Sequence, residues 1–114
     1  MRLRYNLLWF EDDRDFFESL DHEPIEQHLD NLGFEARIDR RAGHEDLQAI
    51  FKDAQRADLI VMDFGLGESV FGDDLIKKIR NNQIYTDVIF YSARTVADLR
   101  RMVLEKGLDG VFCR

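Results

Sequence analysis

The sequence predicts an α/β fold in which one parallel sheet is covered by helices. Three observations favour this class: short, almost wholly apolar runs alternate with segments of helical periodicity, each apolar run ends at polar residues, and each connection is long enough for a crossover helix. The 114 residues, 45% hydrophobic and 34% charged, fit one globular domain with a single core. We therefore expect a doubly wound, five-stranded parallel sheet with right-handed connections.

Four of the five predicted strands are almost uninterrupted apolar runs, the pattern of strands buried on both faces. These runs span residues 5–10, 59–62, 88–91 and 111–113. A weaker alternating segment, 34–38, is predicted to be the remaining strand and to lie at an edge of the sheet.

Apolar residues recur at helical spacing in each interval between strands. They are Ile25, Leu29 and Leu32; Leu47, Ile50, Phe51 and Ala54; Leu75, Ile76 and Ile79; and Val96, Leu99, Met102 and Val103. Proline costs about 3 kcal/mol inside a helix but little in the first turn, so the first helical region is predicted to break at 20–23 and restart at Pro24. Gly33 and Gly107 are predicted C-caps, and Asp73 or Gly72 is expected to cap the third interval's helix.

The charge balance argues against nucleic-acid and membrane partners for this domain. Sixteen Lys and Arg against 23 Asp and Glu give a net charge of −7, which repels phosphate backbones and anionic lipids. No apolar run approaches the roughly 20 residues that span a bilayer, and the first run ends at 11–13 without a cleavage site. The single Cys113 fits a reducing compartment, so we expect a cytoplasmic protein.

Acidic residues stand where the first and third predicted strands end. Glu11 and Asp12 follow the first strand, and Asp63 follows the third. Ligands of open parallel sheets bind beyond these carboxyl ends, and the strand order 2-1-3-4-5 would make the two strands neighbours. Crowded carboxylates raise one another's pKa unless a cation intervenes, and oxygen ligands with room for water suit Mg²⁺. The sequence therefore predicts a magnesium site, and through it a phosphorylated ligand or intermediate.

The ends of the fourth and fifth strands carry two further candidates. Ser92 is placed to donate a hydrogen bond to a phosphoryl oxygen, and Arg114 to balance its charge. Asp13 and Asp15, by contrast, are better explained as residues at the N-terminus of the first helix.

Together these segments resemble the receiver domain of two-component response regulators. The resemblance is carried by residues 7–12, with the acidic pair, and by 59–63, 88–93 and 107–114. It implies a flavodoxin-like sheet in the order 2-1-3-4-5. It also implies that 1–114 is a single receiver-like domain whose usual fifth helix, after the last strand, is missing from this chain.

The resemblance implies a function in phosphorelay. Asp63 would accept a phosphoryl group from a histidine kinase or histidine phosphotransfer protein. Asp12 and Asp63 would hold Mg²⁺ with the backbone carbonyl of Gly65, and Glu11 would assist through water. Ser92 would bind the phosphoryl group and pass the signal to an output domain, or to self-association, through the face of the fourth helix and fifth strand. Such a domain is not an enzyme, although it assists its own phosphorylation and dephosphorylation.

The sequence departs from the family pattern at four places. Arg114 stands where the family has lysine, a wide fork in place of a compact ammonium. Val111 stands at the position of the switch aromatic. The loop 64–72 is one residue longer than expected and lacks the customary proline. The missing helix would leave an apolar sheet face, which we expect to be covered by residues outside this sequence or by another molecule.

Three alternative functions remain open. A degenerate receiver that binds partners without phosphorylation is favoured by Arg114 and Val111. A nucleotide or flavin binder would need a third glycine after Gly65 and Gly67, or a Walker lysine, and the loop has neither. A Mg²⁺-dependent hydrolase or nuclease would need a general base, and the three histidines do not fall at predicted strand ends.

Overall fold

The computed structural model describes residues 3–67, 69–92 and 95–114, and strands alternate with helices along these ranges. The strands are β1 Leu3–Phe10, β2 Phe34–Arg41, β3 Leu59–Asp63, β4 Val88–Tyr91 and β5 Val111–Cys113. The helices are α1 Arg14–Ser19, α2 Glu23–Asn31, α3 Leu47–Arg56, α4 Gly72–Asn81 and α5 Val96–Lys106. Among the described residues, no helix is both long and apolar enough to cross a bilayer.

The sheet is wholly parallel, with the strand order β2-β1-β3-β4-β5. Both the predicted class and the predicted order are therefore confirmed. Phe10 pairs with Met62, and Asp63 pairs with Tyr91, so the carboxyl ends of β1, β3 and β4 lie side by side at one edge of the sheet.

The weakest predicted strand is the one whose length was most underestimated. The alternating segment 34–38 extends to Arg41 because it pairs with β1 along its full length, from Leu3 opposite Phe34 to Phe10 opposite Arg41. It lies at the edge of the sheet, as predicted. β4 and β5 have the predicted bounds.

The first helical region breaks as predicted, between the end of α1 at Ser19 and the start of α2 at Glu23. Pro24 lies in the first turn of α2. Asp13 caps α1, its carboxylate accepting a hydrogen bond of 3.0 Å from the backbone N–H of Phe16.

Glycine ends one helix as predicted, but the start of α4 differs from the prediction. Gly107 is the C-cap of α5 in the left-handed conformation, with φ 62°. The N-cap of α4 is Phe71, and Gly72 and Asp73 are instead its first helical residues. The helix starts early because the N–H of Gly72 is fixed by the carbonyl of Phe64, at 2.6 Å.

The two faces of the sheet are covered by different helices. Helices α3, α4 and α5 pack on what we call the covered face, whose strand residues are 0–4% exposed: Leu8, Phe10, Ile60, Met62, Val88 and Phe90. Helices α1 and α2 lie on the other, open face, where Leu7 and Val61 are buried but Trp9, Leu59 and Tyr91 are only partly buried.

A groove of about 480 Å³ runs along the open face. Its walls are the strand residues Leu7, Trp9, Leu59, Val61, Ile89 and Tyr91, with Phe16, Leu20 and Ile25 from the α1 and α2 region. The apolar sheet face expected from the sequence is thus present between these elements.

Candidate metal and phosphoacceptor site

Three carboxylates meet at the carboxyl edge of the sheet. Asp63 is the last residue of β3, and Glu11 and Asp12 directly follow β1. Since Phe10 lies opposite Met62, the carboxyl ends of β1 and β3 lie side by side. One carboxylate oxygen from each of the three residues lies within 4.8 Å of the others. The structure therefore brings together the residues that the sequence placed on one rim.

The three side chains differ in exposure, and this determines their electrostatics. Glu11 is only 4% exposed, Asp63 is partly buried and Asp12 is exposed. Burial raises the pKa of Glu11 to about 7, and the charge of Asp63 adds to the rise. Burial also raises the pKa of Asp63, although the backbone N–H groups of Gly65 and Phe64 oppose it. Because the ionised forms are disfavoured here, a cation at this point would relieve the crowding.

Glu11 is held on both sides of its carboxylate. Its Oε1 accepts from the hydroxyl of Tyr91 at 3.2 Å, and its Oε2 accepts from the N–H of Asp13 at 3.3 Å. The Tyr91 hydroxyl in turn accepts from the indole N–H of Trp9 at 3.1 Å. Burial raises the pKa of Tyr91, so this hydroxyl stays a donor. Arg40 Nη1 fixes the backbone by donating to the carbonyl of Glu11 at 2.8 Å.

The loop after β3 passes directly beside Asp12. A Cβ on Gly67 would lie 2.8 Å from Asp12 Oδ2, and the φ of Gly67, +74°, is one that other residues rarely adopt. Leu66 is fully buried and anchors the loop in the core. The imidazole of His44 donates to the carbonyl of Leu66 and ties the loop to the segment after β2. Only glycine at position 67 leaves the Asp12 carboxylate its present space.

Helix α4 begins against the phosphoacceptor candidate. A Cβ on Gly72 would collide with the carbonyl oxygen of Asp63, so this close approach requires glycine. The N–H of Gly72 donates to Phe64 at 2.6 Å. In the first turn of α4, Asp73 is buried and pairs with Lys106 of α5 at 2.9 Å. The start of α4 is therefore fixed to both the strand end and the neighbouring helix.

Ser92 and Arg114 lie at the same edge of the sheet as the carboxylates. Ser92 directly follows Tyr91, the partner of Asp63 in the register, and is partly buried. The backbone N–H of Arg114 donates to the carbonyl of Phe90 at 2.8 Å, which places Arg114 at the end of β5. Within the described ranges, the Arg114 guanidinium forms no ion pair with Asp63.

Arg114 instead borders a second groove, between α5 and β5. This groove has a volume of about 820 Å³, and Leu104 and Phe112 on its walls are 81% and 58% exposed. Val111, the residue at the matched switch position, lies beside them and is partly buried. Because the first helical region is divided into α1 and α2, the fourth helix of the family pattern corresponds to α5 of this structure. The face that the resemblance assigns to output is therefore open and partly apolar.

The three histidines occupy different surroundings. His22 packs against the rings of Trp9 and Phe17, with centroids 5.4 and 4.7 Å apart. His28 is exposed on α2. His44 is exposed in the loop after β2, and its ring lies at the rim of the acidic site through its bond to the following loop.

Sequence reasoning did not assign Tyr91, Gly67 or Gly72 to the site. Tyr91 lies in the apolar run of the fourth strand, a pattern in which its hydroxyl gives no signal. The signal that points to it is its position directly before Ser92, at a strand end. The two glycines could not be recognised because their close contacts, to Asp12 and to the backbone of Asp63, exist only in the folded chain.

The donor set fits a magnesium ion. All three candidate ligands are carboxylate oxygens, the preference of a hard cation. Asp12 is exposed and Asp63 partly exposed, which leaves room for the water that Mg²⁺ retains. Burial first, and neighbouring carboxylate charge second, raises the pKa of Glu11 and of Asp63, so a bound cation would stabilise their ionised forms.

Comparisons with known proteins give matches at the level of structure. No family model and no curated protein sequence matches the chain. The signal receiver domain of a putative LuxO repressor protein from Vibrio parahaemolyticus is similar with a TM-score of 0.61 and 22% identity, over 98% of this chain and 79% of that one. A response regulator from Thermotoga maritima gives 0.58 and 21%, over 98% and 86%.

A third similar structure contains a modified site. A response regulator protein from Burkholderia pseudomallei, with a phosphorylated aspartic acid, a calcium ion and citrate, has a TM-score of 0.57 and 18% identity, over 96% of this chain and 59% of that one.

The sheet order and these similarities define the structural class. The chain has the fold of the receiver domains of response regulators, the CheY-like arrangement of five parallel strands. Its acidic cluster lies at the carboxyl edge of that fold and has the composition of a metal site.

Proposed function

We propose that this chain is a phosphorelay receiver domain that accepts a phosphoryl group on Asp63 in a Mg²⁺-dependent reaction. The observation that carries the proposal is the convergence of Glu11, Asp12 and Asp63, whose oxygens lie within 4.8 Å of one another. The proposed phosphodonor is a histidine kinase or histidine phosphotransfer protein. The proposed location is the cytoplasm.

The reaction would be a displacement at phosphorus. A carboxylate oxygen of Asp63 forms the new P–O bond, the P–N bond to the donor histidine breaks, and the electron pair returns to the imidazole nitrogen. Asp63 is suited to this role because it is accessible on one side and held by the end of β3 on the other. The backbone N–H groups of Gly65 and Phe64 oppose the rise in the pKa of Asp63 and so favour its ionised, nucleophilic form.

The proposed magnesium ligands are Asp12, Asp63 and the carbonyl of Gly65. When bound, Mg²⁺ would neutralise charge on the carboxylates and the transferred group. Glu11 is assigned a role through water, because both of its oxygens already accept hydrogen bonds, from Tyr91 and from Asp13.

Ser92 and Arg114 complete the proposed site. The Ser92 hydroxyl would donate to a phosphoryl oxygen, and the Arg114 guanidinium would supply positive charge from the end of β5. The proposed output surface, for a linked or partner domain or for self-association, is the groove between α5 and β5. The domain would act as a signalling acceptor that assists its own phosphorylation and dephosphorylation.

A phosphorylation assay tests the proposal. The protein is incubated with a small acyl phosphate and Mg²⁺, and its intact mass is measured. We expect one added phosphoryl group in the native protein, and none after Asp63→Asn or with a metal chelator. Asp58→Asn is the matched control: it changes an exposed carboxylate that accepts a hydrogen bond from the N–H of Asn6, and the variant should still gain one phosphoryl group. An unmodified native protein that still binds Mg²⁺ would refute the proposal.

A second candidate function is a degenerate receiver that binds a partner without being phosphorylated. Val111 lacks the ring of a switch aromatic, and Arg114 is not paired with Asp63 within the described ranges. The open groove beside them exposes Leu104 and Phe112. Partner binding that is identical for native protein and Asp63→Asn would favour this candidate.

A further inference from the structure

We propose that Tyr91 is a positioning residue for the acidic site: its hydroxyl holds Glu11 in place for metal binding by Asp12 and Asp63, and links this site to Trp9 on the open face. The proposal deepens the proposed function and rests on it. It adds Tyr91 to the residues of the site, although the apolar pattern of β4 did not indicate it.

The link is a chain of two hydrogen bonds across three strands. Tyr91 ends β4 and Trp9 lies on β1, with β3 between them. The Tyr91 side chain reaches over β3 along the open face, and its hydroxyl donates to Glu11 Oε1 at 3.2 Å. The same hydroxyl accepts from Trp9 Nε1 at 3.1 Å. The two rings are 6.3 Å apart at an interplanar angle of 74°, an edge-to-face contact that fixes the phenol.

Burial of Glu11 makes the hydroxyl contact important. The residue is 4% exposed, and a buried carboxylate that lacks a donor is costly. Among the described residues, each carboxylate oxygen of Glu11 has one donor: Tyr91 for Oε1 and the N–H of Asp13 for Oε2. Without the hydroxyl, Oε1 would lose its donor and the carboxylate would be free to turn. A displaced Glu11 carboxylate would then disturb the geometry of Asp12 and Asp63.

The hydroxyl is not needed simply to fill space. Tyr91 forms part of the wall of the apolar groove on the open face, where a phenylalanine ring would pack equally well. A structural role of the ring and a positioning role of the hydroxyl therefore make different predictions for the same substitution, Tyr91→Phe.

The test compares Tyr91→Phe with the matched control Tyr5→Phe. Tyr5 also lies on the open face, where its ring packs edge-on against Phe34, but at the other end of β1. Mg²⁺ affinity is measured by calorimetry, and unfolding is measured in the presence of a chelator. We expect Tyr91→Phe to weaken Mg²⁺ binding about 10-fold, as is typical for loss of an outer hydrogen bond at a metal site. Tyr5→Phe should leave the affinity unchanged, and both variants should unfold cooperatively like the native protein.

A spectroscopic signature and a double substitution separate positioning from packing. Trp9 is the only tryptophan, so its emission should change when Mg²⁺ binds to the native protein, and this change should disappear in Tyr91→Phe even at saturating Mg²⁺. In a Glu11→Ala background, Tyr91→Phe should alter the Mg²⁺ affinity by less than about twofold, because the hydroxyl has no carboxylate left to hold.

The outcomes distinguish this inference from the proposed function. Weaker Mg²⁺ binding in Tyr91→Phe, together with loss of the Trp9 signal, supports the positioning role. Equal affinity in Tyr91→Phe and native protein overturns it and leaves the proposed function standing. Failure of the native protein itself to bind Mg²⁺ overturns both.

Discussion

The covered and open faces of the sheet are built from alternate residues of the same strands, yet they differ in burial and in chemistry. On β3, Ile60 and Met62 face α3, α4 and α5 and are 0% exposed, whereas Leu59, which faces the other side, is partly buried. On β4, Phe90 is 0% exposed while Tyr91 is partly buried. Since the strand sequences are apolar on both sides, the difference arises from the helices that pack against each face.

The two faces therefore contribute differently to the protein. The covered face provides most of the stable core and anchors the loop after β3 through Leu66. The open face carries Trp9 and Tyr91, whose polar atoms connect an apolar groove to the buried Glu11. Stability should depend mainly on the first face, and the chemistry of the acidic site should respond to the second.

The largest expected effect is the difference between two adjacent residues of β3. Ile60→Ala should reduce the free energy of unfolding by about 3–4 kcal/mol, because it leaves a cavity in a close-packed region. Leu59→Ala should cost about 1 kcal/mol, since the open groove beside it allows relaxation and water entry. Denaturant unfolding measures both values. Equal losses for the two variants would show that the faces are equally packed in solution.

The next effect concerns the attachment of α4 to the covered face. Gly72→Ala should cost about 2 kcal/mol, because the added methyl group collides with the carbonyl oxygen of Asp63 and α4 must move. The same movement should weaken Mg²⁺ binding. For stability, Gly65→Ala is the control, since nothing lies within 4 Å of a Cβ at that position. Thermal unfolding compares these two variants, whereas Mg²⁺ calorimetry compares Gly72→Ala with the native protein, because the Gly65 carbonyl is itself a proposed magnesium ligand.

A smaller effect is the pH dependence caused by Glu11. Its pKa in the folded, metal-free protein is raised to about 7 from 4.5, so the folded state binds this proton more tightly than the unfolded state. The associated stability is fully present below about pH 4.5 and is lost as the pH rises through about 7. When unfolding is measured in chelator, the native protein should lose stability relative to Glu11→Gln as the pH rises from about 4.5 to about 7. A constant difference between the two proteins across this range would contradict the prediction.

The smallest effect on stability is expected at β5, one of the two edge strands. Phe112 is 58% exposed and pairs in register with Ile89, which lines the open face. Phe112→Ser should change the free energy of unfolding by less than about 1 kcal/mol, because little buried area is lost. A loss of several kcal/mol in denaturant unfolding would show that something covers this residue in solution.

The sequence pattern was sufficient to predict the class, and the resemblance to receiver domains supplied the strand order that brings Asp12 and Asp63 together. Uninterrupted apolar runs require burial on both sides, and polar residues at their ends mark where each strand leaves the core. The break before Pro24 was also predictable, because a proline lacks the N–H that a helix interior needs.

Other parts of the site were not predictable from the sequence. Tyr91 is indistinguishable from an apolar strand residue until its hydroxyl is seen beside Glu11, two strands away. The N-cap of α4 differs from the prediction because a backbone contact between Gly72 and Phe64, rather than a side-chain cap, fixes where the helix begins.

The order of apolar and polar residues along the chain determined by itself which segments become strands and helices, and that carboxylates would lie at the carboxyl ends of β1 and β3. Only the tertiary structure decided which alternate strand residues are fully covered, and how Glu11 is held between Tyr91 and Asp13. The physical reason is that local pattern depends on neighbours along the chain, whereas coverage and hydrogen-bond partners depend on residues that meet only when the sheet assembles.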